Sequence, residues 1–265
     1  MTVPHQELLE LACRLALEAG HMVRDGRAAD GVALMDTKSS ATDMVTEFDT
    51  ASEALIVGGI TSARPHDGIV GEEGTDTVGT SDIRWLIDPI DGTTNFLYGL
   101  PGYAVSIAAC SPDDTEVGVV YVPATDELFA AARGQGATLN GRPIRCGTAT
   151  DLSLALVGTG FSYLPERRAV QARRVAAMLP RVRDIRRLGA AAADLCHVAA
   201  GRLDVYFEEF LGPWDLAAGE LIAREAGCRT GDLRGGDVRP SSVLVANPAL
   251  FPSAQALIAE ADAAE

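Results

Sequence analysis

Trp85-Leu86-Ile87-Asp88-Pro89-Ile90-Asp91-Gly92-Thr93-Thr94-Asn95-Phe96 reads as a buried strand that runs into two aspartates three residues apart and then into a short helix. Pro89 fixes its own φ and biases Asp88 towards extended backbone, so the spacing of the two carboxylates is pinned. Gly92 permits a close backbone approach, and Thr93 and Thr94 open a helix whose free N–H groups suit a phosphate oxygen. Asp88, the Ile90 carbonyl and Asp91 together offer hard oxygen donors of the kind Mg²⁺ takes. An isolated pair of aspartates at this spacing is more often a turn with helix caps, so its meaning depends on the rest of the chain.

Upstream, Ile69-Val70 leads into Gly71-Glu72-Glu73-Gly74, which places adjacent carboxylates at the end of an apolar run. Downstream, the segment from Trp214 to Gly227 reads as a helix capped by Asp215 and stopped by Gly227. Capping alone explains Asp215, and acidic pairs in loops are commonly just solvated. Three carboxylate-bearing segments at the ends of regular elements nevertheless suggest one shared cation site.

Between Trp85 and Arg145 short β-rich runs (85–87, 103–109, 117–122 and 128–132) are punctuated by Ser111-Pro112-Asp113-Asp114 and Asn140-Gly141, which predicts antiparallel neighbours. After Thr150 strands alternate with helices: strands at 154–157, 182–186, 203–207 and 243–246, helices at 167–179, 190–200 and 216–226, and a terminal helix. That alternation marks a largely parallel sheet with crossover helices. Ahead of both, apolar positions Leu8, Ala12, Leu15, Ala19 and Met22 recur at three and four and predict an amphipathic helix from Pro4 to Val23. A polar loop around Lys38 follows, then a helix that breaks at Gly58-Gly59. The expected division is an N-terminal α+β part, 1–147, with most of the carboxylates, and a C-terminal α/β part, 148–265, with Asp215. A ligand would lie in the crevice between them.

With 265 residues, 47% of them hydrophobic, the chain has material for a substantial core. No apolar run reaches the roughly 18 residues of a membrane span. Net charge is −15, which opposes a sequence-independent grip on nucleic-acid phosphates. Five scattered cysteines form no C-x-x-C pair, and no signal-peptide pattern opens the chain, so a reducing, cytoplasmic setting is expected. His5, His21, His66 and His197 form no ligand pair, Gly158-Thr159-Gly160 lacks the rest of a dinucleotide fingerprint, and Arg167-Arg168 with Arg173-Arg174 read as a solvated helix face, with phosphate steering the lesser alternative.

The segments Trp85 to Phe96 and Trp214 to Gly227, with Gly71-Glu72-Glu73 upstream, closely resemble the two signature motifs of the inositol monophosphatase family of Mg²⁺-dependent, lithium-sensitive phosphatases. Lys38-Ser39-Ser40, Asp43, Thr46, Asp49 and the stretch from Arg186 to Asp204 extend the resemblance over most of the chain. It implies a layered α-β-α-β-α sandwich, usually a homodimer. By position it implies Glu72, Asp88, the Ile90 carbonyl, Asp91 and Asp215 as ligands for two to three Mg²⁺ ions. Thr93 is implied to orient the attacking water with Asp49 as its partner, and the Gly92 and Thr93 amides to hold phosphate. Gly189, Ala191 and Glu208 match positions that contact the sugar alcohol, and Lys38 a mobile loop near the third metal. The chain departs from the family at Ala190, where a hydroxyl residue is common. Thr94-Asn95-Phe96 resembles the inositol group, whereas a basic residue at position 94 is more usual in histidinol-phosphate and 3′-phosphoadenosine phosphatases.

Phosphate-monoester hydrolysis needs accelerations of up to ~10²¹, while one general base contributes about 10²- to 10⁴-fold. Paired metals can activate water, neutralise phosphate and stabilise the leaving oxygen together. The resemblance and this chemistry together imply hydrolysis of myo-inositol-1-phosphate by direct attack of metal-activated water, with Glu72 and the Thr93-Asp49 pair orienting it. The alternatives are a phosphatase of another small phosphomonoester (histidinol phosphate, 3′-phosphoadenosine 5′-phosphate or fructose-1,6-bisphosphate) and a regulatory protein acting through protein partners.

Overall fold

The computed structural model describes residues 5–30, 34–37 and 44–263. Helix α1 (His5–Asp30) is followed by the antiparallel pair β1 (Leu34–Thr37) and β2 (Met44–Thr46) and by α2 (Glu47–Ala63). Leu8, Leu11, Ala12, Leu15, Ala16 and Ala19 form the buried stripe of α1 and pack with Ile56 and Ile60 of α2. The glycines Gly58 and Gly59 do not end α2, contrary to the sequence expectation. A Cβ at Gly59 would lie 2.3 Å from Leu15 Cδ2, so that glycine lets two helices touch, and close packing offsets its poor helix propensity.

The first large sheet comprises β3 (Gly68–Gly71), β4 (Asp76–Thr77), β5 (Arg84–Asp91), β6 (Ala104–Cys110), β7 (Thr115–Val122), β8 (Glu127–Ala132), β9 (Ala137–Leu139) and β10 (Arg142–Pro143). Its order is β10-β9-β8-β7-β6-β5-β3-β4, antiparallel throughout except for the parallel pair β3·β5. The β9-β10 hairpin turns through Asn140 and Gly141, both at positive φ, as their pairing predicts. Side chains alternate between two apolar faces: Trp85, Ile87, Val105, Ile107, Val117 and Val119 meet α1 and α2. Ala104, Ala108, Val120 and Val122 face the other way.

Short helix α3 (Thr93–Tyr98) sits between β5 and β6. The second half brings β11 (Leu156–Thr159), α4 (Pro165–Met178), β12 (Asp184–Arg186), α5 (Ala191–Ala199), β13 (Val205–Glu208), α6 (Pro213–Glu225), β14 (Arg229–Gly231), β15 (Val243–Ala246) and α7 (Phe251–Ala263). Its sheet has the order β12-β11-β13-β15-β14. Strands β11, β12 and β13 are parallel, as expected, but β15 runs antiparallel to both β13 and β14. A helix-free connection between β14 and β15 cannot make a parallel crossover, so the chain turns back.

Helices α5 and α6 lie between the two sheets, with Leu195, Val198, Leu221 and Ile222 sharing one core with Val120 and Phe129 on one side and Tyr206 and Val245 on the other. The far face of the second sheet is covered by α7 and the end of α4 through Leu257, Ile258 and Met178. The result is the alternating α-β-α-β-α stack. Strands of the first sheet end at Pro143 and those of the second begin at Leu156. No helix among the described residues is long and apolar enough to cross a membrane.

Candidate active site

Strand β5 carries both aspartates, and the proline lies within the strand rather than in a turn after it. Opposite β6, Asp88 pairs with Ser106 and Asp91 with Ala104, so one extra residue bulges out between them. A proline that cannot donate to the ladder suits that bulge. Asp88 Oδ1 accepts the Ile90 N–H at 3.0 Å, and Ser52 Oγ of α2 donates to the Pro89 carbonyl at 3.1 Å. Gly92 then takes φ +87° as the N-cap of α3, a left-handed conformation that glycine adopts without steric cost. Thr93 Oγ1 lies 3.0 Å from both Asp49 Oδ1 and the Ile90 carbonyl, so its single proton has two acceptors. Asp49 is buried, and its other oxygen accepts the Thr46 amide at 2.7 Å, capping α2.

Two further carboxylates reach Asp88. Glu72 follows β3, its amide bonded to the Ile87 carbonyl of β5 at 3.1 Å. Asp215 lies in the first turn of α6; the N-cap is Gly212, whose amide Asp215 Oδ2 accepts at 2.7 Å. Asp215 is thus the capping-box partner rather than the cap itself, because Pro213 begins the helix two residues earlier. Ser106 Oγ donates to the Trp214 carbonyl at 3.0 Å and ties α6 to the strand register that sets Asp88. One oxygen each from Glu72, Asp88 and Asp215 lies within 4.8 Å of the others.

Asp91 is turned towards α5. Its oxygens accept the Ala191 and Ala192 amides at 3.1 and 2.6 Å, where the helix dipole favours an anion. Burial pushes the Asp88 carboxyl well above the usual range, helped by the charges of Glu72, Asp91 and Asp215. Asp91 is raised likewise by burial and by Asp215, with the Ala192 amide opposing. Like charges in a low-dielectric crevice resist joint ionisation unless a cation joins them. The donor set, all carboxylate with an adjacent peptide carbonyl, fits a hard divalent ion.

These groups open onto a cavity of about 340 Å³ lined by residues of both halves, among them Glu72, Asp88, Ile90, Asp91, Gly92 and Asp215. Thr93, Gly189, Ala191 and Glu208 line it too, whereas Asp49 and Thr94 do not. Asp49 lies behind Thr93 and accepts its hydroxyl. Lys38 lies outside the described residues. Burial pushes the Glu208 carboxyl up to about 7, with the Tyr206 hydroxyl donating to it. None of the histidines or cysteines lines the cavity.

Several wall residues escape sequence reading. Arg167 of α4 lines the cavity with its guanidinium 3.9 Å from the Phe210 ring centroid, and Phe210 has φ +71°. Arg174, two turns along α4, is buried and pairs with Glu209 at 2.8 Å and Asp262 at 2.6 Å. Two of the arginines expected on a solvated face therefore point inwards. The signal available was their seven-residue spacing with Gln171 between, one face of a helix. Arg187 also lines the cavity. Asn95 braces the rim, donating to the Gly102 and Leu188 carbonyls at 2.6 and 2.7 Å.

A profile of the inositol monophosphatase family matches residues 5–263. The chain belongs to the inositol monophosphatase family. It is 44% identical over 270 residues to the inositol-1-monophosphatase of Mycobacterium leprae, covering 93% of this chain and 92% of that protein. It is also 43% identical over 245 residues to a protein named Nus factor SuhB from Salmonella typhimurium, covering 91% of each. The crystal structure of the extragenic suppressor protein suhB from Bartonella henselae superimposes with a TM-score of 0.90 at 36% identity, over 95% of this chain and 98% of that one. Membership makes the chain a phosphoric monoester hydrolase.

Proposed function

We propose that the chain hydrolyses myo-inositol-1-phosphate, or a closely related inositol monophosphate, with Mg²⁺ held by Glu72, Asp88, the Ile90 carbonyl, Asp91 and Asp215. The observation that carries this is the convergence of Glu72, Asp88 and Asp215 within 4.8 Å at the floor of a cavity, together with relatives named inositol-1-monophosphatase. Two to three bound Mg²⁺ ions supply phosphate neutralisation and water activation.

The chain's own residues do the positioning. The Gly92 and Thr93 amides, at the start of α3, hold phosphate oxygens. Thr93 orients the attacking water, with Asp49 fixing its hydroxyl from behind, and Glu72 shares that role. Gly189, Ala191 and Glu208 face the alcohol, and Thr94 follows the phosphate-binding amides in the first turn of α3. Hydrolysis proceeds by direct attack of water, without a phosphoenzyme. We further assign the chain to the cytoplasm as a homodimer without direct nucleic-acid contact, consistent with its charge of −15, and its halves 1–147 and 148–265 to separate domains flanking the site.

A second reading has support in the relatives named Nus factor SuhB: a regulatory role through protein partners, beside or in place of catalysis. Phosphate release from myo-inositol-1-phosphate, histidinol phosphate, 3′-phosphoadenosine 5′-phosphate and fructose-1,6-bisphosphate, with Mg²⁺, with chelator and with lithium, decides between them. Mg²⁺-dependent, lithium-inhibited turnover favouring inositol phosphate is expected. Preference for another substrate keeps the chemistry and changes the alcohol; no turnover on any, despite bound metal, favours the regulatory role.

A further inference from the structure

The face of α2 that meets the site is polar. Asp49, Ser52 and Glu53, at i, i+3 and i+4, are all buried although the neighbouring turns carry Phe48, Ile56 and Ile60. Each of the three reaches a different part of the carboxylate site. Asp49 holds Thr93, Ser52 holds the Pro89 carbonyl between Asp88 and Ile90, and Glu53 holds the turn that follows Glu72.

Glu53 is 4% exposed, and a buried carboxylate is costly unless its oxygens are satisfied. All of its donors come from one short segment. Oε2 accepts the Glu73 amide at 2.8 Å, while Oε1 accepts the Thr75 amide at 3.1 Å and the Thr75 hydroxyl at 2.6 Å. On the other side of Glu72, a Cβ placed on Gly71 would lie 2.2 Å from Oε2. The Glu53 carboxylate therefore presses against the residue before Glu72 and bonds the residue after it. Among the described residues no cation pairs with it, so its charge is balanced by these donors. Such a grip fixes the backbone of residue 72 against α2, the same helix that fixes Thr93 and Pro89.

We infer that Glu53 is the positioning residue for Glu72, setting through the 73–75 turn where that carboxylate stands relative to Asp88 and Asp215, and thereby how tightly the site binds Mg²⁺. The inference rests on the proposal that Glu72 is a metal ligand. Outer partners of metal ligands typically govern affinity by roughly 10- to 100-fold. Glu53→Gln keeps the size of the side chain but replaces one acceptor oxygen with a donor that faces an N–H.

The test is Mg²⁺ binding to the full chain, measured by calorimetric titration for the wild type, Glu53→Gln, Glu72→Gln and the double variant, with thermal unfolding of each in chelator. Glu53→Gln should weaken binding by roughly 10-fold or more, and the double variant should bind no more weakly than Glu72→Gln alone, because Glu53 acts through residue 72. Thr75→Val, which removes only the hydroxyl donor, should weaken binding by a few-fold and carries the test if Glu53→Gln does not fold. A lowered unfolding midpoint with unchanged Mg²⁺ affinity in both variants, or fully additive losses in the double variant, would overturn the inference while leaving Glu72 as a ligand. Unchanged affinity in Glu72→Gln would overturn the ligand assignment and this inference with it.

Discussion

The two walls of the cavity are built by different means. The carboxylate wall comes from ends of regular elements: β3 delivers Glu72, the bulged β5 delivers Asp88 and Asp91, and the first turn of α6 delivers Asp215. Its backbone is tied to α2, α5 and β6 by hydrogen bonds of Ser52, Asp91 and Ser106. The rest of the lining is made of side chains on loops, a strand end and the inward face of α4: Arg167 stacked on a half-exposed Phe210 in a left-handed conformation, Arg187, and Glu208 at the end of β13. The carboxylate wall is locked by the fold. The other wall can change residue by residue without disturbing the sheet.

That contrast can be broken most severely at the locked wall. Asp88→Asn should reduce kcat/KM with Mg²⁺ by more than the roughly 10²-fold that loss of an outer partner costs, measured as phosphate release at saturating metal. Asp49→Asn should cost about 10- to 100-fold in kcat, since it loosens Thr93 without removing a ligand. It should also lower the unfolding midpoint, because the buried Thr46 amide loses its acceptor. A kcat unchanged within error would show that Thr93 does not depend on Asp49.

The open wall should respond more gently. Arg167→Gln gives up a cation–π contact of the order of 1 kcal/mol, so KM should shift by about 2- to 5-fold, differently for different alcohols, with Mg²⁺ dependence unchanged. A last effect concerns pH and is read in stability rather than in turnover. The Glu208 carboxyl stands near 7 rather than the ordinary 4.5 because it is buried. The folded chain therefore keeps a proton there that the unfolded chain has lost between those values. The corresponding stability is complete below pH 4.5 and is lost as pH rises to about 7. Glu208→Gln should flatten the stability profile across that window by at most one proton, read by urea unfolding in chelator.

The same contrast explains what the sequence disclosed. Asp88, Asp91 and Asp215 sit in contiguous motifs whose spacing and local punctuation, Pro89, Gly92 and Pro213, act within a few residues and can be read directly. The first helix and the division into two sheets followed from hydrophobic periodicity in α1 and from strand texture, while the order of the layers came with the family resemblance. What escaped depends on contacts distant in sequence. Gly59 resembles a helix breaker until Leu15 is known to lie against it. The reversal of β15 follows from a helix-free return that periodicity does not describe. Arg174 resembles a solvated residue until Glu209 and Asp262, 35 and 88 residues away, close around it. Glu53 had a faint local mark, a third polar residue on the Asp49 face of α2, but its partners at 73–75 come from another strand's end.

The central claim is that Glu72, Asp88, Asp91 and Asp215 form a Mg²⁺ site that drives phosphomonoester hydrolysis. Its most direct test is phosphate release from myo-inositol-1-phosphate by the wild-type chain and by Asp88→Asn, each titrated with Mg²⁺ from a chelated start. Activity that is absent in chelator, rises with Mg²⁺ in the wild type and is almost lost in Asp88→Asn is the predicted result. Turnover that persists in chelator, or an Asp88→Asn variant with wild-type Mg²⁺ activation, would contradict it.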